Sequence, residues 1–336
     1  MDNILFQSYN IEERSYVAFI KREIHNLVRP HFTEKRTAEI DIVISELTSN
    51  LIKHAQKGEI LYRLSTDEND KIFEVICIDK GPGIKDLSNA MKDGVSSKET
   101  LGQGIGAIMR LSNFSQFYTL PAWGTIVYTV FYNDRDHSPS AKKNFHARIL
   151  NVAKPGEHVS GDSAHIKAYP DKTIVFVGDG LGHGHHAKDA VDKAIAIFKA
   201  SMSGDPSEII KEINKNLKHT RGLVATIATL DHKSKQWELC GVGNISTRLQ
   251  KGLENKNYVC NNGIIGFNIP TRLENSRHEL EKFQQLILCS DGIKTRWDLV
   301  KYPGLLKYDP MIMAAVLYKD HARQTDDMTA VIVKVL

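Results

Sequence analysis

Four times in the second half of this chain, an apolar run of the kind that forms a buried strand meets aspartate at one end. Asp162 stands in "VSGDSAHIKAY", Asp179 in "IVFVGDGLGHG", Asp291 in "LILCSDGI", and the pair Asp326/Asp327 in "TDDMTAVIV". Runs of Val, Ile and Leu bounded by Gly and Asp read as strands, and a carboxylate left unpaired at a buried strand end costs several kcal/mol. Aspartates that form turns beside glycine account for any one of these sites, but four in this arrangement call for a shared compensation. Hard divalent cations supply it through oxygen ligands, and strand ends can bring carboxylates distant in sequence together. No Cys/His cluster has zinc spacing, so Mn2+ or Mg2+ is the expected ion. Two such ions bridged by carboxylates would lower the pKa of a shared water and hold a phosphate oxygen, the requirement for direct hydrolysis of a phosphomonoester.

At 336 residues the chain is long enough for two domains, each with its own core. Its formal charge is +4 with the basic residues spread along the chain, so nucleic acid is not an expected partner. Cys77, Cys240, Cys260 and Cys289 have no C-x-x-C spacing, and two lie in strand-like runs, as structural thiols of a reducing compartment do. The N-terminal "MDNILFQSYNIEERSY" lacks a basic stretch followed by an apolar one. No run approaches the roughly eighteen apolar residues of a membrane span, so a cytoplasmic protein without a membrane partner is expected. Around "NDRDHSPSAKK" the apolar pattern stops, which places a linker at 133–143 between domains at 1–132 and 144–336.

The first domain reads as two helices followed by strands and helices in alternation, an α/β layer. In "RTAEIDIVISELTSNLIKHA", Ile40, Ile44, Leu47, Leu51 and Ala55 recur at helical spacing, while Glu46, Asn50 and His54 share another face. "GEILYRLST", "KIFEVICID" and "AWGTIVYTVFY" read as strands. The second domain is dominated by short strand-like runs interrupted by the helical "HHAKDAVDKAIAIFKASM", "PSEIIKEINKNLKH" and "DPMIMAAVLYKD", which suggests sheets covered by helices.

Three features of the first domain converge on a nucleotide. Glu46 and Asn50, four apart on a helix, set a carboxylate beside a carboxamide oxygen, a pair able to bind hydrated Mg2+. In "DKGPGI", Asp79 ends an apolar run and Gly81, Pro82 and Gly83 force a tight turn that lets a ligand approach the backbone. In "TLGQGIGAIMRLS", Gly102, Gly104 and Gly106 precede a helix, and exposed N–H groups there suit phosphate. Singly, a glycine loop is more often a turn and a Glu/Asn pair a solvated face; their order and separation join them.

The combination resembles the GHKL (Bergerat-type) nucleotide-binding fold of histidine kinases, gyrase and anti-sigma factors, and within it the RsbT-like switch kinases. That resemblance implies an α/β two-layer sandwich binding ATP with Mg2+. Asn50 would coordinate the ion, Asp79 accept from the adenine amino group, Gly102 to Gly106 cover the phosphates, and Thr125 in "WGT" add the second adenine-side contact. Glu46 would be the general base of a serine/threonine kinase, or only a residue of the metal shell in a domain that binds ATP without transfer.

The second domain resembles the 2C-type metal-dependent phosphatases of the SpoIIE/RsbX branch, with "GD", "DGLGHG", "SDG" and "DDMT" in the family's order. This implies an αββα sandwich and two-domain α+β architecture overall. It implies two Mn2+ or Mg2+ ions bridged by Asp179 with the Gly180 carbonyl, and further held by Asp162, Asp291 and Asp326; Asp327 is the alternative to Asp326. His183, His185 and His186 fit loop roles better than zinc ligation, and Arg248 and Arg296 are candidates for the substrate phosphate. The implied partner is a STAS-domain anti-sigma antagonist phosphorylated on Ser or Thr, with a sigma factor as the second candidate and homodimerisation left open. A non-catalytic ATP-binding regulator of the phosphatase, or a protein that sequesters a sigma factor or STAS partner, are the other readings.

Overall fold

In a computed structural model of the chain, residues 5–11, 13–54, 57–66, 71–87, 91, 104–133 and 145–335 are described. The chain falls into two compact units, Met1–Lys142 with Lys307–Ala315, and Lys143–Leu306 with Val316–Leu336. Apart from Asn133, the expected linker lies outside the described residues.

The first unit contains an antiparallel sheet in the order β1-β2-β3-β5-β4, built from β1 (Leu5–Ile11), β2 (Gly58–Thr66), β3 (Lys71–Asp79), β4 (Phe114–Leu120) and β5 (Gly124–Tyr132). The sequence reading opened this unit on helices and lacked β1 and β4. Both carry few consecutive apolar residues, and pairing with β2 and β5 supplies what local pattern does not. Helices α1 (Arg14–Val28), α2 (Glu34–His54) and α3 (Gly104–Leu111) complete the layer. Ile40, Ile44, Leu47 and Leu51 form the expected stripe of α2 and bury against Ile20 and Ile24 of α1 and Ile60, Phe73, Val75 and Cys77 of the sheet. Strand alternation sends Arg63 and Glu74, which are register partners, to the other face. There Arg63 Nε donates to Glu74 Oε2 at 2.7 Å, and the Tyr128 hydroxyl donates to Glu74 Oε1 at 2.5 Å.

One buried cation fixes where α2 stands. Arg36, 3% exposed, donates to Glu39 Oε2 at 2.6 Å, to the Leu111 carbonyl closing α3 at 2.7 Å, to the Tyr132 carbonyl closing β5 at 3.3 Å, and to Asn113 Oδ1. Its guanidinium also lies 5.1 Å from the Phe131 ring centroid. The five donors of a planar guanidinium allow one side chain to join three elements.

The second unit holds two antiparallel five-stranded sheets. The first runs β12-β11-β14-β15-β6, from β6 (Phe145–Val152), β11 (Ser246–Lys251), β12 (Glu254–Tyr258), β14 (Gln285–Cys289) and β15 (Met328–Val335). The second runs β13-β10-β9-β8-β7, from β7 (Asp162–Ala168), β8 (Lys172–Gly180), β9 (Leu223–Asp231), β10 (Gln236–Val242) and β13 (Ser276–Glu279). Helices α4 (His185–Ala200) and α5 (Pro206–Asn216) cover the second sheet, with Val191, Phe198, Ile209 and Ile213 buried against Ile174, Phe176, Ile227 and Cys240. Asp205 caps α5, accepting from Ser207 N at 2.8 Å and Glu208 N at 3.1 Å, ahead of Pro206 at the first helical position. The segment ahead of α6 (Pro310–His321) lies over the first sheet, where the Leu306 carbonyl accepts from Lys334 Nζ at 2.9 Å. The expected two-domain α+β class is thus the observed one. Among the described residues no helix is long and apolar enough to cross a membrane, and the four cysteines are free thiols.

Arg36→Ala would take from buried Glu39 the cation beside it, and from the Leu111 and Tyr132 carbonyls the donor that Arg36 supplies. The expected loss is about 3–5 kcal/mol of stability, read as a lowered urea midpoint. Arg36→Lys, with one ammonium against divergent acceptors, recovers less than half of it.

Candidate functional site

The antiparallel register of β7 and β8 sets Asp162 directly opposite Asp179. Opposed residues have Cβ atoms about 4.5–5.5 Å apart on one face of the sheet, so two carboxylates share that face. Asp162 is 4% exposed; Ser290 and Thr329 hydroxyls bond to its carboxyl, yet Oδ2 is buried with no hydrogen-bond partner. Burial pushes Asp162 up to about 7, with repulsion from Asp327 and Asp291 adding to it and the two hydroxyls opposing it. Burial likewise pushes Asp179 up to about 9, reinforced by Asp162, Asp291, Asp326 and Asp327. The fold thus brings all five carboxylates into one electrostatic neighbourhood at the strand ends.

Their surroundings differ. Asp291 follows β14, and its Oδ2 accepts from Asn244 Nδ2 at 3.1 Å. Asp327 commits both oxygens to backbone, Oδ1 to Lys154 N at 2.8 Å and Oδ2 to Gly161 N at 2.7 Å, tying the start of β15 to the β6–β7 connection. Asp326 is half-buried, and its Oδ1 accepts from Asp327 N at 2.9 Å. Gly180 has its N–H on the Gly161 carbonyl at 3.1 Å. A Cβ on Gly180 would lie 2.4 Å from the Ala187 carbonyl oxygen, so only glycine lets the turn seat against the first turn of α4.

His183 Nδ1 is 2.7 Å from Glu157 Oε1, and His185 and His186 stand exposed at the start of α4, so the three do not form a zinc set. Arg248 is stacked 3.6 Å from the Trp297 ring centroid and donates to Asn257 Oδ1 at 3.2 Å; Arg296 is exposed. Among the described residues no three His, Cys, Asp or Glu side chains are gathered tightly enough to grip a bare ion as they stand. The donor set nonetheless fits hydrated hard cations. It is all oxygen, carries excess negative charge, and leaves one buried carboxylate oxygen unpartnered, while Mg2+ keeps several of its own waters.

In the first unit, Asp79 closes β3 and its Oδ1 accepts from Gly81 N at 2.7 Å. Gly83 has φ +75°, and a Cβ there would meet the Leu120 carbonyl oxygen at 2.3 Å; one on Gly124 would meet the Asp79 carbonyl oxygen at 2.1 Å. The turn after β3 is therefore pressed onto the β4–β5 turn. Thr125 on β5 faces Thr119 on β4, their hydroxyl oxygens 3.2 Å apart, and Thr119 Oγ1 accepts from Ile84 N at 2.8 Å. Glu46 and Asn50 lie half-buried on α2, and a Cβ on Gly104, the first residue of α3, would lie 2.8 Å from Glu46 Oε2. Gly106 is buried in the first turn of α3, and Gly102 lies outside the described residues. Thr119, Asn244, Ser290 and Thr329 escaped the sequence reading. Thr119 sits on the unread strand β4, and the others are ordinary polar residues that only pairing brings to the aspartates.

A helix-backed sheet with a glycine turn after an aspartate, joined in one chain to a two-sheet sandwich with carboxylates at its strand ends, defines a kinase-like ATPase domain fused to a 2C-type phosphatase domain. The Histidine kinase-like ATPase domain family matches residues 12–128, and the Stage II sporulation protein E (SpoIIE) family matches residues 169–303. The chain belongs to the family of RsbT: over 93 residues it is 33% identical to the serine/threonine-protein kinase RsbT of Bacillus subtilis (strain 168), covering 28% of this chain and 70% of RsbT. It is also 31% identical over 106 residues to the phosphoserine phosphatase RsbX of the same organism, covering 31% of this chain and 53% of RsbX, about half of that relative's length. Crystalline RsbX in complex with magnesium superposes with a TM-score of 0.52 at 23% identity, over 59% of this chain and 98% of RsbX. A solved chain from "The bacterial stressosome: a modular system that has been adapted to control secondary messenger signaling" gives 0.53 at 25% identity, over 57% of this chain and all of that one (100%).

If the carboxylate cluster takes cations, Mn2+ at about a hundred times its dissociation constant adds about 2.7 kcal/mol. That corresponds to a rise in Tm of roughly 5–10 °C for a domain of this size. Asp179→Asn, which removes a carboxyl that folding forces to take up a proton at neutral pH, is expected to raise the Tm of the cation-free protein and abolish the Mn2+ shift in differential scanning fluorimetry.

Proposed function

We propose that this protein is a bacterial partner-switching regulator that both removes and adds phosphate. In this reading residues 144–336 form a metal-dependent phosphoserine/phosphothreonine phosphatase, residues 1–132 an ATP-binding serine/threonine kinase domain, and residues 133–143 the linker. The observation that carries it is the convergence of Asp162, Asp179, Asp291 and Asp326 at the strand ends, where burial and the neighbouring carboxylates push Asp162 and Asp179 upward.

Asp179, the Gly180 carbonyl, Asp162, Asp291 and Asp326 would together hold two Mn2+ or Mg2+ ions. Asp326 is favoured over Asp327 because both oxygens of Asp327 already accept backbone N–H groups. Bound there, the ions would supply a water of lowered pKa and an electrophilic clamp on phosphate oxygens. The protein's own part is to hold the carboxylates opposed, as the register of β7 and β8 does. Asn244 orients Asp291, and Ser290 and Thr329 orient Asp162. Hydrolysis then breaks the P–O ester bond, water's oxygen goes to phosphorus, and the serine or threonine oxygen leaves with a proton.

In the first domain, Asn50 would hold the Mg2+ that accompanies ATP. Asp79 and Thr125 would recognise adenine, with Gly81 and Gly83 shaping the turn and Gly102, Gly104 and Gly106 covering the phosphates. Glu46 lies against the start of α3 and, with a γ-phosphate presented there, would take the proton from an attacking hydroxyl. The common substrate is a STAS-domain antagonist. Supporting this are the kinase RsbT and the phosphoserine phosphatase RsbX, which match the two regions separately.

Mn2+-dependent hydrolysis of an aryl phosphate should fall by roughly a hundredfold or more in Asp179→Asn; equal turnover would refute the phosphatase. In that variant, labelled ATP and a STAS protein should yield phosphoprotein, and Glu46→Gln should cut transfer by about 10²–10⁴ while retaining ATP. Tight ATP binding without any transfer would instead make the domain a nucleotide-responsive regulator of the phosphatase.

A further inference from the structure

Of the cations near the carboxylate cluster, Arg221 stands out by position. β9 begins at Leu223, whose register partner is Gly180, and Asp179 pairs with Val224. Continued two residues past the sheet, that register sets Arg221 opposite Gly182, in the turn that follows Asp179 and Gly180. The side chain follows the backbone: a Cβ on Gly182 would lie 3.0 Å from Arg221 Nη1. Glycine at 182, with φ +88°, is what leaves room for the guanidinium beside the turn.

The backbone that carries Arg221 is held at several points. Leu181 N donates to the Gly222 carbonyl at 3.1 Å, which stitches the two turns together. Thr220 Oγ1 accepts from Gly222 N at 3.1 Å and donates to the Leu217 carbonyl at 2.9 Å. Gly222 has φ +74° and no room for a side chain, since a Cβ would sit 2.8 Å from the Ile265 carbonyl oxygen. Yet the guanidinium at the end of this fixed segment is exposed, and among the described residues no hydrogen bond or ion pair engages it. Arg248, by contrast, is stacked on Trp297 and bonded to backbone carbonyls. An arginine on a rigid mount with unused donors is suited to a ligand with a planar pair of oxygens.

Formal charge leads to the same place. Four carboxylate ligands balance two divalent ions, and Asp327 is stabilised by backbone donors. An arriving phosphomonoester dianion is therefore left without compensation by the protein's own ionised groups unless a further cation faces it. Resting on the phosphatase reading above, we propose that Arg221 is the substrate-positioning residue of that site. Its guanidinium pairs with two non-bridging oxygens of the phosphoserine or phosphothreonine phosphate as the ester meets the carboxylate cluster.

The test uses the full chain with Mn2+ and the variants Arg221→Ala and Arg221→Lys. Inorganic phosphate is titrated calorimetrically as the binding probe, and KM and kcat are measured on an aryl phosphate. In Arg221→Ala, phosphate binding should weaken and KM rise by roughly 10- to 100-fold, the size of a lost charge-assisted contact. The Mn2+-induced shift in Tm should stay as in the wild type, and Arg221→Lys should recover part of the loss. Unchanged phosphate affinity and KM in Arg221→Ala would overturn the assignment while the phosphatase reading stands. Phosphate binding that needs Arg221 in a wild type without turnover would keep Arg221 as a phosphate-binding residue but overturn the phosphatase reading and with it the substrate-positioning role. No phosphate binding by wild type would overturn the assignment, whatever the turnover.

Discussion

Two carboxyl groups held face to face organise the second unit. Asp162, buried, and Asp179, half-buried, are opposed across β7 and β8, with Asp291, Asp326 and Asp327 close enough to raise the cost of ionising them. A native protein tolerates such an arrangement only where something else neutralises it. Nearly every constraint around the cluster bears on keeping it intact. Gly161 and Gly180 admit the first turn of α4, and a Cβ at Gly292 would lie 1.9 Å from the Asp327 carbonyl oxygen. Asp327 itself is diverted to backbone N–H groups and acts as a clamp between β15 and the segment before β7. In the proposed reading the electrostatic cost of these carboxylates is relieved by bound cations, which would couple cation affinity to stability.

The first unit solves a different problem, that of holding a helix at a fixed distance from a turn. Glu46 and Asn50 have meaning only relative to the start of α3 and the turn after β3. Arg36 fixes one of those relations by bonding to the ends of α3 and β5 from the first turns of α2. The second is fixed by close backbone approach, since Gly83 and Gly124 allow the turns flanking Asp79 to touch. A buried guanidinium and two glycines thus do for the nucleotide-type site what the strand register does for the carboxylates. In the proposed reading, one chain carries opposed chemistries on one phosphorylation site, and joining them fixes their ratio at one to one.

The strands that hold the aspartates, the core stripe of α2 and the helices of the second domain were legible because each is a long periodic run of apolar residues whose pattern needs no partner. β1, β4, β6, β11, β12 and β13 were not read. β12, in "ENKNY", is almost wholly exposed and exists because β11 lies beside it. The same division runs through the site residues. Asp179 and Asp79 announce themselves by closing an apolar run, whereas Thr119, Asn244 and Thr329 have no local signature.

The sequence alone determined that two domains exist, what chemistry each can support, and which aspartates are anomalous, because those facts reside in residue type and short-range order. Only the tertiary structure decided that Asp162 and Asp179 are register partners, that both oxygens of Asp327 are held by backbone, and that Arg221 rather than Arg248 stands beside the turn after Asp179. Each of these depends on which strand ends meet. Pairing is set by the packing of the whole sheet, and a shift of one residue along β7 or β8 would send that strand's aspartate to the opposite face.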